Sequence, residues 1–198
     1  FLGHRVIRDN HIGDWGTQFG KLILGYKERN CPDFSNGDAL ALMQEIYQTT
    51  HRACEEDPAK LEAARAELKK LQEGDEENIR IWKMFREYSQ SAFDSIYQRL
   101  DIHFDHTLGE SFYNPWLKST VDELREKEIA RESEGATVVF FDDEELKDQP
   151  FLIEKSDGAA LYSTTDLAPL KYRKQEWDAD EVIYVTDGRQ QLHFKQLF

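Results

Sequence analysis

Residues 159–198 read AALYSTTDLAPLKYRKQEWDADEVIYVTDGRQQLHFKQLF, the most regular stretch of the chain. Ala159 to Ser163 is a short apolar run that suits a strand. Asp166 to Trp177 has helical composition, with Pro169 tolerated in its first turn. Glu181 to Thr186 (EVIYVT) is rich in β-branched and aromatic residues and reads as a second strand. Gln190 to Phe198 starts another helix. Strand, helix, strand and helix joined by short links form a βαβ unit, whose strands run parallel. The expected fold class is therefore α/β, with part of a parallel sheet at this end of the chain.

Upstream, Phe151–Glu154 and Ala136–Phe141 read as two strands of a small antiparallel β element, with Ser156-Asp157-Gly158 turning the chain. Asp142 to Gln149 between them is an acidic, solvated turn. Val121 to Ala130 reads as a short charged helix, and residues 101–118 as irregular. From Asp38 to about Leu100 the text is helical: Leu40, Met43, Ile46 and Tyr47 recur at helical spacing. Asp57-Pro58 is a helix start, with Asp57 as cap and Pro58 in the first position. Leu61, Ala64, Leu68 and Leu71 share one face, Gly74 breaks that helix, and Asp75 can cap the next. Ile79, Trp82, Phe85, Ser89, Phe93, Ile96 and Leu100 then form a long stripe that fits helix packing better than a cofactor site. Pro32, Asn36 and Gly37 mark a loop, residues 17–27 a helix and residues 4–9 a short strand.

Composition narrows the function. A chain of 198 residues with 39% hydrophobic and 12% aromatic residues folds rather than staying disordered. Thirty-nine acids against 25 bases give a net charge of −14, which argues against a nucleic-acid surface made by this segment alone. The same balance suits a cationic small substrate, although a well-solvated surface explains most of the acids. Cys31 and Cys54 form no CxxC motif, so neither a disulfide framework nor a zinc site is expected, and a reducing cytoplasm fits. No apolar run approaches a membrane span, and no signal peptide opens the chain. Phe1-Leu2-Gly3-His4 resembles a helix end running into a turn, and the last residues fall inside a helix. The chain is expected to be a central piece of a larger protein.

In open parallel sheets, ligands sit beyond the carboxyl ends of the strands. Here those ends supply Tyr162, Thr164, Thr165 and Asp166, and then Asp187, Gly188, Arg189, Gln190 and Gln191. Asp166 offers a carboxylate able to take a guanidinium through two hydrogen bonds. Tyr162 can stack on the same group or hydrogen-bond to it, and Gln190 can meet its edge through an amide. Each has a plainer alternative: Thr165 or Asp166 as a helix cap, Tyr162 as strand packing, Gln190 as an exposed turn. A second candidate is His11-Ile12-Gly13-Asp14-Trp15-Gly16, where glycines flank a carboxylate and an indole. It suits the mouth of a nucleotide-type pocket. Residue types alone favour a strand-to-helix turn with Trp15 as a core plug. His103 and His106 lie near Asp101 and Asp105, but without the spacing of a standard metal site, and no metal is expected. There is no catalytic triad and no Gly-Lys-Ser/Thr loop.

Several of these segments resemble one family in the right order. Asn10-His11-Ile12-Gly13-Asp14-Trp15-Gly16-Thr17-Gln18-Phe19-Gly20 is similar to a signature of arginyl-tRNA synthetases. So are Lys155-Ser156-Asp157-Gly158, Leu161-Tyr162-Ser163-Thr164-Thr165-Asp166-Leu167-Ala168, and Ile183-Tyr184-Val185 followed by Gln190 and His193-Phe194. Shorter echoes are Gly74-Asp75-Glu76, Gly109-Glu110-Ser111-Phe112-Tyr113 and Gly135-Ala136-Thr137-Val138-Val139. The likeness spans nearly the whole chain.

The resemblance implies a class I enzyme with a Rossmann-type catalytic domain. The expected fold is then a partial Rossmann-type parallel sheet with a helical insertion and a small antiparallel β element. Residues 1–30 would be the first-half Rossmann strand, glycine-rich loop and helix, and 31–135 the helical insertion. Residues 136–158 would form the small β element and 159–198 the second-half unit. Family members activate L-arginine with ATP and Mg²⁺, then pass it to the terminal adenosine of tRNA(Arg), and generally need tRNA for the first step. Tyr162, Asp166 and Gln190 would hold the arginine side chain. Gly13, Asp14, Trp15, Gly16 and His193 would line the active site, the role of His193 being undetermined. His11-Ile12-Gly13 is not the family's ATP-binding tetrapeptide, which lies one helix upstream of the Gly-Asp-Trp-Gly segment. The Lys-Met-Ser-Lys-Ser-like loop would follow Phe198. No catalytic residue and no bound cofactor are therefore expected in this segment itself, and tRNA would be met mainly by other domains. Two other readings stay open: a non-catalytic helical interaction module, and a class I nucleotide-binding ligase of another type.

Overall fold

The computed structural model describes residues 3–35, 38–155 and 162–198, with Tyr162 described by its backbone alone. The chain divides into two compact units, one ending at Gly109 and one beginning at Glu110. This cut differs from the four functional segments expected above.

The first unit is helical: α1 (Thr17–Glu28), α2 (Ala39–Glu56), α3 (Pro58–Gln72) and α4 (Glu76–Arg99). Three of these helices start where a local carboxylate satisfies an open backbone N–H. Asp38 accepts from Ala41 N, Asp57 from Ala59 N with Pro58 beside it, and Asp75 from Asn78 N. Ile23, Tyr26, Phe34, Met43, Ile46, Leu71, Ile81 and Phe85 interlock as the core, with Trp15, Phe19 and Trp82 against it. Beneath this core runs a buried polar network. Asn78 donates to the carbonyl (2.8 Å) and carboxylate (2.9 Å) of Glu67. Lys27 reaches Glu67 at 2.8 Å and Asn78 at 2.6 Å, and Lys70 reaches Glu67 at 2.6 Å. The network ties α1, α3 and α4 together.

Two expectations for this unit change. Residues 4–9 form no strand; Asp9 makes only an isolated parallel bridge with His106, beside hydrogen bonds from Asn10 to His106 and from Asp105 to Arg8. One bridge lacks the neighbouring rungs that make a ladder. The α4 stripe is core only in its first half. Ile79, Trp82 and Phe85 pack inward, whereas Phe93, Ile96 and Leu100 are exposed, and in the last turns of α4 Tyr97 meets Asn10 and Phe104 instead.

The second unit holds a 3₁₀ turn at Glu110–Tyr113, α5 (Asn114–Glu126), β1 (Ala130–Ser133), β2 (Ala136–Val139), β3 (Phe151–Glu154), α6 (Tyr162–Glu176), a 3₁₀ turn at Gly188–Gln190, and α7 (Gln191–Leu197). The sheet is antiparallel in the order β1-β2-β3, with Ala130 opposite Val139 and Val139 opposite Phe151. The expected pairing of the 136 and 151 strands is therefore present. Its irregularity between Thr137 and Val138, and the strand β1 itself, were not expected. Glu134 and Gly135, both at positive φ, make the two-residue turn between β1 and β2. Val121, Ala130, Phe151, Ile153 and Leu197 form the core of this unit.

A parallel sheet is not present among the described residues. Residues 159–161 lie outside them, and so does the expected turn at 156–158. Tyr162 and Ser163 open α6 instead of closing a strand, so Pro169 falls inside that helix rather than in its first turn. Glu181–Thr186 forms no regular element and joins no ladder, with Ile183 77% and Val185 94% exposed. A β-rich segment becomes a strand only against a partner that takes its hydrogen bonds. The Asp142–Gln149 turn is acidic as expected, but Leu146 within it is buried.

Candidate functional site

In the second unit the site is built where α6 and α7 meet over β3. Ser163 donates from its hydroxyl to the carbonyl of Leu152, and Thr164 does the same to Ile153. These bonds fasten the first turn of α6 to β3, and Thr164, Ala168 and Pro169 are sealed inside. Asp166 follows half a turn later. Its carboxylate Oδ2 lies 2.6 Å from Nε2 of His193 on α7. The two side chains are 7% and 14% exposed. A carboxylate only accepts, so the hydrogen in this bond is carried by Nε2. The imidazole is packed by Phe151 (centroids 5.6 Å apart) and meets Phe194 edge-on (5.1 Å).

Tyr162 stands four residues before Asp166 and opens the same helix. Gln190, half-buried, stands three residues before His193 at the head of α7, where its N–H donates to Asp187 O at 2.9 Å. The Asp166–His193 bond thus joins the two helices that carry all three expected arginine-pocket positions. Tyr162 and Asp166 are helical, not at a strand end. Because α6 already begins at Tyr162, neither Thr165 nor Asp166 caps it. Downstream, Arg173 Nη1 receives no proton but donates one to Tyr184 Oη at 2.7 Å, with its guanidinium 5.2 Å from the ring centroid. Tyr184 also packs on Phe194 and Phe198. This pins the 181–186 segment to α6 and α7. The exposed Asp187 carboxyl is held below its usual range by the Arg189 side chain and backbone N–H.

In the first unit, Asp14 is 2% exposed. Its Oδ2 pairs with Arg86 Nε at 2.9 Å, and its carbonyl accepts from Trp82 Nε1 at 2.7 Å. A Cβ on Gly109 would stand 2.3–2.4 Å from the Asp14 carboxyl atoms, so only glycine allows this approach. Trp15 meets Trp82 edge-on at 5.7 Å, and Arg86 lies 4.8 Å from the Trp82 ring centroid. Gly16, at φ 114°, leads into α1. His11 Nδ1 is 3.1 Å from Leu108 O. The Gly-Asp-Trp-Gly segment therefore presents a buried carboxylate already joined to α4, with Trp15 against the core.

Nothing in the sequence pattern pointed to Arg86 or to the Asp166–His193 contact. Both connect residues far apart in the chain, and neither forms a local motif. His103 and Asp101 are 3.8 Å apart and exposed, and Asp105 is engaged by Arg8. Among the described residues, no group of three or more His, Cys, Asp or Glu side chains is placed to hold a metal ion. Nor, among them, is any helix long and apolar enough to cross a membrane.

The sequence family described as tRNA synthetases class I (R), catalytic domain, matches residues 1–198. The chain belongs to this family. Among curated relatives of these class I (R) synthetases, an arginine–tRNA ligase of Fusobacterium nucleatum is 48% identical over all of this chain and 35% of its own length. An arginine–tRNA ligase of Clostridioides difficile is 42% identical over 99% of the chain and 34% of its own length. The chain thus spans about a third of the length of the curated relatives it matches. Among solved structures, an arginyl-tRNA synthetase of Plasmodium falciparum superposes with a TM-score of 0.77 at 34% identity, covering all of this chain and 33% of that one. A Thermus thermophilus arginyl-tRNA synthetase shares the fold at a TM-score of 0.58 and 20% identity, over 87% of this chain and 30% of that one.

Proposed function

We propose that this chain is the part of an arginine–tRNA ligase that receives the arginine side chain. The observation that carries the reading is a buried carboxylate, Asp166, joined to His193 where α6 and α7 meet. A guanidinium gives up much hydration on entering such a site, and an ionised carboxylate in fixed orientation offsets that cost. Tyr162 and Gln190 supply the polar or stacking partners at the heads of the same helices. Lysine carries charge without the planar fork, and citrulline carries the plane without the charge, so each leaves this partner set badly matched.

In the whole ligase the arginine carboxylate attacks the α-phosphorus of ATP, pyrophosphate leaves, and the arginyl group passes to the terminal adenosine of tRNA(Arg). None of the residues above is assigned to ATP, to Mg²⁺ or to a catalytic step. Gly13, Asp14, Trp15 and Gly16 belong to this reading as active-site lining, a role that rests on the family signature. Glu181–Thr186 becomes a strand of the Rossmann-type parallel sheet when its neighbours are present, and the enzyme works in the cytoplasm.

The test is arginine-dependent ATP–pyrophosphate exchange by the full-length protein with tRNA(Arg) present. Asp166→Asn keeps the shape of the side chain and removes its charge. It raises the arginine KM roughly a hundredfold, the scale of a truncated buried charge pair, and leaves the ATP KM within about twofold. An unchanged arginine KM removes Asp166 from the pocket.

A further inference from the structure

We propose that His193 is a positioning residue for arginine selection, acting through Asp166. The inference rests on reading Asp166 as the guanidinium partner. A carboxylate that meets a planar guanidinium through two parallel hydrogen bonds must present its plane in one direction. Asp166 sits on α6 with its rotation about the last side-chain bond set by what touches the oxygens. His193 Nε2 holds Oδ2 at 2.6 Å. The imidazole is itself packed by the Phe151 ring of β3 and the Phe194 ring of α7. The chain of constraint therefore runs from a buried aromatic cluster, through one N–H, to the orientation of the carboxylate.

The same bond is one of the contacts between α6 and α7, beside the packing of Leu167, Phe194 and Leu197. Gln190 stands one turn ahead of His193, at the head of α7. Losing the Nε2 donor removes one of the contacts that orient the carboxylate and tie α7 to α6. The cost falls on arginine binding, since orientation that the free protein no longer supplies must be established when the ligand arrives. His193 touches neither the reacting carboxylate nor ATP in this assignment, so the rate at saturating arginine is not its concern.

Glutamine and asparagine separate this role from simple packing. The side-chain nitrogen of glutamine lies as many bonds from the backbone as Nε2 of histidine, whereas that of asparagine stops at the position of Nδ1. In the full-length protein with tRNA(Arg), His193→Gln keeps the arginine KM within about twofold of the parent. His193→Asn and His193→Leu raise it about tenfold, the scale of one hydrogen bond to a charged group. In all three, kcat at saturating arginine and the ATP KM stay within about twofold. Thermal unfolding identifies any variant that does not fold, and the Gln–Asn comparison then decides alone. Equal arginine KM values for the Gln and Asn variants overturn the inference, and so does a loss of kcat without a change in KM. If Asp166→Asn raises the arginine KM while the histidine variants leave it unmoved, the pocket stands and only the role of His193 falls. If Asp166→Asn also has no effect, the pocket itself is wrong.

Discussion

Asp14 and Arg86 form a buried ion pair that closes the glycine-rich segment onto the long helix α4, Nε to Oδ2 at 2.9 Å. The aspartate carboxylate is almost fully removed from water, while the guanidinium is partly exposed and lies over Trp82. Removing the cation takes the opposite charge away from a buried carboxylate, which costs more than the pair itself contributes. Arg86→Met is expected to lower stability by about 3 kcal/mol, and adding Asp14→Asn should recover part of that loss. Urea unfolding followed through the fluorescence of Trp15 and Trp82 checks both. An Arg86→Met variant as stable as the parent means that Arg86 is not what holds the Asp14 charge.

Gly109 is the other side of that arrangement. A methyl group there would press on all three carboxyl atoms of Asp14 at 2.3–2.4 Å. The carboxylate is buried and held by Arg86. Gly109→Ala is therefore expected to cost about 2 kcal/mol or more, as overpacking does. The same substitution made on an Asp14→Ala background should be close to neutral, because the obstructed atoms are gone. A double-mutant cycle measures the difference, and additive effects would show that Gly109 is needed for some other reason.

The Glu67 network gives the first unit a definite acid response. Burial pushes the Glu67 carboxyl up, but hydrogen bonds from Lys27, Lys70 and Asn78 outweigh it and hold the group down to about 2. A carboxyl depressed in the folded state stabilises the fold fully above its ordinary value near 4.5. That contribution drains away as pH falls from about 4.5 towards 2, because the unfolded chain binds the proton first. Glu67→Gln should therefore be less stable than the parent at pH 7, with the gap narrowing steadily below pH 5. Urea midpoints measured from pH 7 to pH 2 test this. A gap that stays constant with pH would mean that the network works through shape rather than charge. Glu123, held to about 2 by Lys127 and Lys171, is more exposed, so its replacement should give a smaller and more salt-sensitive effect.

What could be read from sequence was what is decided locally. Asp57-Pro58 and Gly74-Asp75 announce helix boundaries because a cap and a break act within one turn. The Phe151–Glu154 strand and its antiparallel neighbour could be read in the same way. The hairpin between β1 and β2 is not legible in the same way, because the charged run that becomes β1 has the composition of a helix. The βαβ reading turns on pairing, and no parallel ladder is present among the described residues. Glu181–Thr186 has strand composition, yet its hydrogen bonds need a partner that local composition does not supply. The chemistry of Asp166 and Gln190 is legible in the sequence, and so is the helix that carries Asp166; Tyr162 is the one that moves, from the expected strand into the first turn of α6. His193 could only be placed near the pocket, since its link to Asp166 depends on how α6 and α7 pack.

That packing makes the Arg173–Tyr184 contact a handle on the 181–186 segment. Tyr184 accepts a hydrogen bond from Arg173 at 2.7 Å, lies under its guanidinium, and touches Phe194 and Phe198. Among the described residues no strand ladder holds residues 181–186, so side chains such as this one anchor the segment. Tyr184→Phe keeps the ring contacts and deletes one hydrogen bond to a charged group, an expected loss of about 1.5–3 kcal/mol in local opening. Tyr184→Ala removes the rings as well and should release the segment from α7. Amide hydrogen exchange across 178–188 reads both changes, with faster exchange in the order parent, Phe, Ala. Equal exchange in all three would mean that neighbouring residues carry the segment and that Tyr184 merely rests on it.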